Sequence, residues 1–136
     1  MQSPSMSNTN VLTPVNPAIE NYMRLLVGRT DHPILTEMET VAKNNNFPII
    51  GRLVGIFLEA LAKTANAQRV FEFGSGYGYS AYWFARAVGP EGKVICSDGD
   101  PLNKEKAEKY LNSANLWNRV SFHVGLAQEI FTTTEG

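Results

Sequence analysis

The sequence predicts an α/β fold in which a helical section precedes a parallel sheet wound β-α-β-α-β. Three observations carry this. Short β-prone runs stand at Arg69–Phe73, Val94–Ser97 and Arg119–Val124, each pair separated by a stretch with helical spacing. The first run ends on a glycine cluster, Gly74, Gly76 and Gly78. Strands alternating with helices of this length mean βαβ units with right-handed crossovers.

Residues 1–15 are rich in Ser, Asn, Thr and Pro, contain no Lys or Arg, and read as a mobile tail. Asn16-Pro17 is an N-cap followed by Pro at the first helical position. Ile19, Tyr22, Met23 and Leu26 then recur on one helical face, and Gly28 supplies the stop. A second helix starts after Asp31 and carries Leu35, Met38 and Ala42 inward, with Glu37, Glu39 and Lys43 outward, until Asn44-Asn45-Asn46 breaks it. A third follows Pro48, with Leu53, Val54, Phe57, Leu58 and Leu61 expected to face a core. Residues 16–66 thus form the helical section.

Beyond the first strand, Tyr79–Val88 reads as a helix and Gly89–Gly92 as a turn. Asp100-Pro101 repeats the N-cap and Pro signal and opens a helix with Leu102, Ala107, Tyr110, Leu111 and Ala114 at helical spacing. Lys104, Glu105, Lys106, Glu108 and Lys109 form its solvated face, with i,i+4 pairing. A doubly wound sheet ordinarily carries more than three strands and does not leave a parallel edge bare. Residues 67–136 therefore read as the first half of such a domain, its C-terminal half missing.

Composition excludes several functions. The chain of 136 residues is 43% hydrophobic and 18% charged, which is globular composition for one domain. A net charge of −1 gives no basic excess for nucleic acid. No apolar run approaches the roughly 18 residues of a membrane span, and the N-terminus lacks the basic start and apolar stretch of a signal peptide. A single cysteine, Cys96, rules out a disulfide framework. The expectation is a cytoplasmic protein with no nucleic-acid or membrane partner.

The segment Val70-Phe71-Glu72-Phe73-Gly74-Ser75-Gly76-Tyr77-Gly78-Tyr79-Ser80 carries the chemistry. It sets an acid near the end of a strand, then glycine at every second position, then a helix N-terminus. Alternate glycines let the backbone turn sharply and touch a ligand where a Cβ would stand in the way. Free N–H groups at the helix start suit a carboxylate or phosphate. Glu72 is placed to accept from a cationic group on the same ligand. An anion beside an ammonium describes an amino acid. Asp98, twenty positions after Gly78, ends the second strand and suits ribose hydroxyls. A ligand with an amino-acid end and a nucleoside end fits S-adenosylmethionine. The dinucleotide reading stays open by spelling, because Gly76-x-Gly78-x-x-Ala81 matches G-x-G-x-x-A. The register starting at Gly74 fails, since Tyr79 falls where a small side chain is needed.

On the residues Glu72-x-Gly74-x-Gly76-x-Gly78-Tyr79-Ser80, then Ile95 to Pro101, then Val124-Gly125-Leu126-Ala127-Gln128, the chain resembles the class I S-adenosylmethionine-dependent methyltransferases. Within them it is similar to the small-molecule O-methyltransferases related to catechol and caffeoyl-CoA O-methyltransferases, over about residues 47–131. The resemblance implies a Rossmann-like methyltransferase core, consumption of S-adenosylmethionine and release of S-adenosylhomocysteine. It implies that Glu72 and Ser80 hold the methionine end, and the loop Gly74, Ser75, Gly76 and Gly78 stands beside them among the expected cofactor-binding residues. Asp98 would bind the ribose with Gly99 beside the adenosine, Ala127 and Gln128 would line the adenine pocket, and Ile50 with Gly51 would close over the methionine. In that family the divalent-metal ligands and the residue activating the acceptor hydroxyl follow the third strand, so none is assigned here and no catalytic residue is named. The expected activity is O-methylation of a small hydroxylated acceptor, with this chain carrying the cofactor-binding half and inactive alone. The alternative is a non-catalytic cofactor-binding or oligomerisation module, pairing as a homodimer through the sheet edge or the front helices.

The remaining polar residues have plainer readings. Cys96 is a buried small hydrophobe, His123 a structural residue, and His32 a loop residue without a second metal ligand at a suitable spacing. Tyr77, Tyr79, Tyr82, Trp83 and Phe84 are mostly helix core, with Tyr77 and Tyr79 also placed to touch a ligand. Ser75 and Ser80 lack a neighbouring His for nucleophilic work.

Overall fold

The computed structural model describes residues 16–27 and 32–134. The tail 1–15, the stop at Gly28 and the start at Asp31 lie outside them. Among the described residues six helices and three strands follow in the order α1 (Pro17–Val27), α2 (Pro33–Asn44), α3 (Gly51–Thr64), β1 (Arg69–Phe73), α4 (Tyr79–Ala87), β2 (Lys93–Asp98), α5 (Pro101–Ser113), β3 (Val120–Val124) and α6 (Ala127–Thr133). A short 3-10 turn at Trp117–Arg119 takes Arg119 out of the third strand.

The expected caps form where Pro fixes the first turn. Asn16 Oδ1 accepts from Ala18 N–H at 2.9 Å, and Asp100 Oδ1 from Leu102 N–H at 2.9 Å. At α2 the cap is His32, whose Nδ1 accepts from Ile34 N–H at 3.3 Å. His32 is therefore a capping residue; its ring nitrogen does the work ordinarily given to Ser or Asp.

The strands pair in parallel in the order β1-β2-β3, with Glu72 opposite Cys96, Phe73 opposite Ser97 and Asp98 opposite Val124. Successive right-handed crossovers in one direction put α4 and α5 on the same face of the sheet. On that face Val94, Cys96, Val120 and Phe122 pack with Tyr82, Trp83, Ala107 and Leu111, and α2 adds Leu35 and Met38. Because side chains alternate along a strand, Glu72, Cys96 and Asp98 share this covered face. The opposite face carries α6, whose Phe131 meets Phe71 edge-on with ring centroids 5.0 Å apart.

Periodicity misplaces three faces. Val54, Phe57 and Leu61 of α3 are exposed, and the buried line is Gly55, Glu59 and Ala62. Gly55 decides this: the Trp83 ring fills the space a Cβ would need, coming within 2.2 Å of it, so α3 docks on α4 through its smallest residue. Ile19, Tyr22, Met23 and Leu26 are likewise exposed, and α1 has no buried residue. Leu102 is exposed, while Ala107, Tyr110 and Leu111 of α5 are buried as expected. Glu39 is half-buried, drawn in by partners on two other helices, whereas Glu37 and Lys43 are exposed. Lys109 does not pair along α5 but reaches Glu37 of α2 at 3.2 Å. No helix among the described residues is long and apolar enough to cross a membrane.

Candidate functional site

At the carboxyl ends of β1 and β2 lies a cleft of about 460 Å³. Its back is the glycine loop with Ser80 and Asp98, and its front is the connection between α2 and α3, Phe47 to Ile50. A cleft outside the carboxyl ends of parallel strands is where α/β sheets place their ligands.

The loop is held from beneath by β2. Ser75 N–H donates to the Ser97 carbonyl at 2.8 Å, and Ser97 N–H donates to Ser75 Oγ at 3.2 Å. Gly76 has φ +52, and a Cβ there would stand 3.0 Å from the Phe47 ring. Gly78 has φ +88 and caps α4. Its Cβ would meet Ala107 at 3.1 Å, so this glycine is needed for the approach of α5 rather than for the cleft. Because Gly78 offers no side chain, the first N–H groups of α4 have no side-chain cap, which leaves them suited to an anion.

Asp98 is fixed by three donors. Gly76 N–H reaches Oδ2 at 2.9 Å, while Asp100 N–H and the Asn103 amide reach Oδ1 at 2.9 and 3.0 Å. A carboxylate has about four acceptor sites, so capacity remains on Oδ2 for a ligand hydroxyl. Asn103 is buried and was not legible as a site residue; its only sequence signal is its place one turn into the helix behind Asp98. At the other end, Ser80 Oγ donates to Glu72 Oε1, the Cys96 thiol lies 3.8 Å from Glu72 Oε2, and Ser97 Oγ donates to the Glu72 carbonyl at 2.8 Å. Burial pushes the Glu72 carboxyl above the usual carboxylate range, with the hydrogen bonds from Ser80, Ser75 and Cys96 opposing and the charge of Asp98 adding to the rise.

Of the residues expected at the site, Ile50, Gly74, Ser75, Gly76, Ser80 and Asp98 line this cleft. Glu72 stands behind Ser80. Gly51 opens the adjoining hollow beside Arg24, Glu39 and Arg52. Gly99 is exposed with open space around its Cα, and Ala127 and Gln128 begin α6. The Gly125 N–H donates to the Asp98 carbonyl at 2.9 Å and ties the start of that turn to the end of β2. Phe47, Pro48 and Ile49 join the wall without having been singled out; Tyr77 and Tyr79 line it while remaining buried. Among the described residues no group of three His, Cys, Asp or Glu is placed to share a metal ion. His123 instead sits 3.0 Å from Ser121 Oγ through Nε2.

The sequence pattern that defines the O-methyltransferase family matches residues 23–134. The chain belongs to the O-methyltransferase family. It is 30% identical over 114 residues to catechol O-methyltransferase of Niastella koreensis, a match covering 83% of this chain and 52% of that protein. The chain thus spans about half the length of this relative. A solved methyltransferase from Geobacter sulfurreducens superposes with a TM-score of 0.79 at 34% identity, covering 85% of this chain and 60% of the other. The O-methyltransferase TomG from Streptomyces achromogenes, involved in tomaymycin synthesis and solved in complex with SAM, superposes with a TM-score of 0.78 at 28% identity, covering 88% of this chain and 54% of the other. With these, the Rossmann-like methyltransferase core expected of this family member is the fold it has, over a shorter length than its structural neighbours.

Proposed function

We propose that this O-methyltransferase-family chain binds S-adenosylmethionine in the cleft and supplies the donor side of methyl transfer to a small hydroxylated acceptor. One observation carries the reading: one cleft is lined by Ser80, with Glu72 bonded behind it at the end of β1, and by Asp98 at the end of β2, on either side of a loop where a Cβ on Gly76 would stand 3.0 Å from the Phe47 ring. The residues fit the ligand. Asp98 Oδ2 accepts a ribose hydroxyl, Ser80 with Glu72 behind it receives the ammonium end, and the uncapped start of α4 faces the carboxylate.

When bound, S-adenosylmethionine offers a sulfonium methyl to an oxygen attacking in line; the C–S bond breaks as the C–O bond forms, the acceptor hydroxyl loses its proton, and S-adenosylhomocysteine leaves. The residues of this chain bind and orient. Fixing the donor at both ends lowers the entropic part of the barrier. The front wall from Phe47 to Ile50 excludes water from one side. The acceptor-activating group is assigned to no residue of this chain, and the 136-residue chain is proposed to bind without turning over. Ala127, Gln128 and Gly99 are proposed to flank the base and nucleoside as the β3–α6 turn folds toward Asp98.

Calorimetric titration of the chain with S-adenosylhomocysteine tests this. Saturable binding that Asp98→Ala weakens about tenfold or more supports it, since a hydrogen bond to a charged group contributes roughly 1.5–3 kcal/mol. A folded chain that takes up no ligand overturns it. A second reading, an association module that forms homodimers, is favoured by the exposed apolar residues Tyr22, Leu25 and Phe57 on α1 and α3. Sedimentation of the same sample separates the two.

A further inference from the structure

The front wall of the cleft, residues 47–50, has no regular secondary structure. It is suspended between the end of α2 and the start of α3, and what fixes it must therefore fix those two ends. One carboxylate oxygen does so. Glu39 Oε1 accepts from Tyr79 Oη at 2.6 Å and from Arg52 Nε at 2.7 Å. Arg52, in the first turn of α3, also reaches Thr36 Oγ1 of α2 at 2.8 Å. Tyr79 is the first residue of α4, directly behind the glycine loop. A single side chain thus joins α2, α3 and the start of α4, directly behind the glycine loop. Next to it, Tyr77 Oη donates to the Met38 carbonyl at 3.0 Å, and the Tyr77 ring packs on Phe47 with centroids 4.7 Å apart.

We infer that Glu39 is a positioning residue: it holds the wall from Phe47 to Ile50 against the glycine loop and so sets how slowly a bound nucleoside ligand leaves. This rests on the proposed S-adenosylmethionine site. Glu39 does not itself line the cleft; it meets the lining at Tyr79. Its effect falls on dissociation, because a wall that opens more often releases ligand faster while the recognition groups Asp98, Ser80 and Glu72 stay in place. The isosteric Gln retains an acceptor oxygen for both donors; Ala retains none.

The test measures association and dissociation of S-adenosylhomocysteine by rapid mixing, with hydrogen exchange of the ligand-free chain, for Glu39→Ala, Glu39→Gln, Tyr79→Phe and Glu39→Ala/Tyr79→Phe. Expected are dissociation roughly tenfold faster for Glu39→Ala with association little changed, and recovery of most of that loss in Glu39→Gln. Tyr79→Phe should give a smaller effect that does not add in the double variant. Exchange should quicken over residues 47–51 and not in β2. Parent-like dissociation in Glu39→Ala overturns the inference, as does exchange that quickens throughout the chain. If Glu39→Ala does not fold, Tyr79→Phe alone decides by the same readouts, parent-like rates and exchange overturning the inference. If the parent chain binds no ligand the proposed function fails, and the exchange arm still decides the role of Glu39: localised quickening sustains it, and none overturns it.

Discussion

Gly76 N–H donates to Asp98 Oδ2 at 2.9 Å, so the middle of the glycine loop and the end of the neighbouring strand are bonded to each other. The acid proposed to take the ribose is therefore aimed by the chain's own groups, and its other oxygen is occupied by Asp100 N–H and Asn103. Preorganisation of this kind predicts a graded series. Asp98→Ala should weaken S-adenosylhomocysteine about tenfold or more, by loss of a charged acceptor. Asn103→Ala should weaken it roughly three- to tenfold, because it frees Oδ1 without removing the carboxylate. Equal losses in the two variants, read by calorimetry, would make Asn103 a ligand contact rather than a support.

How much of this was legible in the sequence follows from the range of the forces involved. β1 and the caps of α1 and α5 depend on neighbours a few residues away, and Arg69–Phe73, Asn16 and Asp100 stand where local chemistry puts them. The face of α3 depends on what docks against it. Apolar spacing chose Val54, Phe57 and Leu61, but Trp83 seeks Gly55, a residue that hydrophobic periodicity does not count. The cleft splits the same way. Its glycines and acids form one contiguous motif and a strand end, so their types and spacing point to them. Glu39, Asn103 and the wall residues Phe47, Pro48 and Ile49 reach the site only through tertiary contact, and nothing adjacent in sequence marks them.

Glu72 predicts a conflict between stability and binding. Burial raises its carboxyl above the ordinary carboxylate value of about 4.5. The folded chain therefore holds this proton more tightly than the unfolded chain. That contribution to stability is complete below about pH 4.5 and is lost as pH rises through the raised native value. Glu72→Gln removes the loss while keeping an acceptor for Ser80. Its melting temperature should exceed the parent's at pH 7, with the two curves converging below pH 4.5. Its affinity for S-adenosylhomocysteine should fall about tenfold or more, because the partner of the ammonium is gone. A variant no more stable than the parent at pH 7 would show that the carboxylate is not a strained group.

Cys96 is fully buried on β2, and burial next to the Glu72 carboxylate pushes its thiol far above the usual range. The thiolate is the reactive form. The native chain should therefore resist a thiol-directed reagent at pH 7.5 and react stoichiometrically once unfolded in denaturant. Labelling followed by mass spectrometry reads both states directly. Rapid native labelling would require the loop–β2 clamp, Ser75 on Ser97, to open often. S-adenosylhomocysteine should slow such opening.

Gly55→Ala tests the packing of α3 on α4. The added Cβ would fall 2.2 Å from Trp83 Nε1 and 2.4 Å from Cε2. Trp83 is fully buried and has Tyr82 edge-on at 5.2 Å, so its ring has little room to retreat. Overpacking of this sort costs roughly 1–3 kcal/mol, and the cost should appear as a lower melting temperature. The wall from Phe47 to Ile50 leads directly into α3, so a displaced α3 should also loosen ligand binding. Trp83→Phe removes the indole nitrogen, which has no hydrogen-bond partner among the described residues, and trims the ring facing residue 55. It should therefore recover part of the loss when combined with Gly55→Ala. Additive destabilisation in the double variant, measured by thermal melting, would place the clash elsewhere than between these two residues.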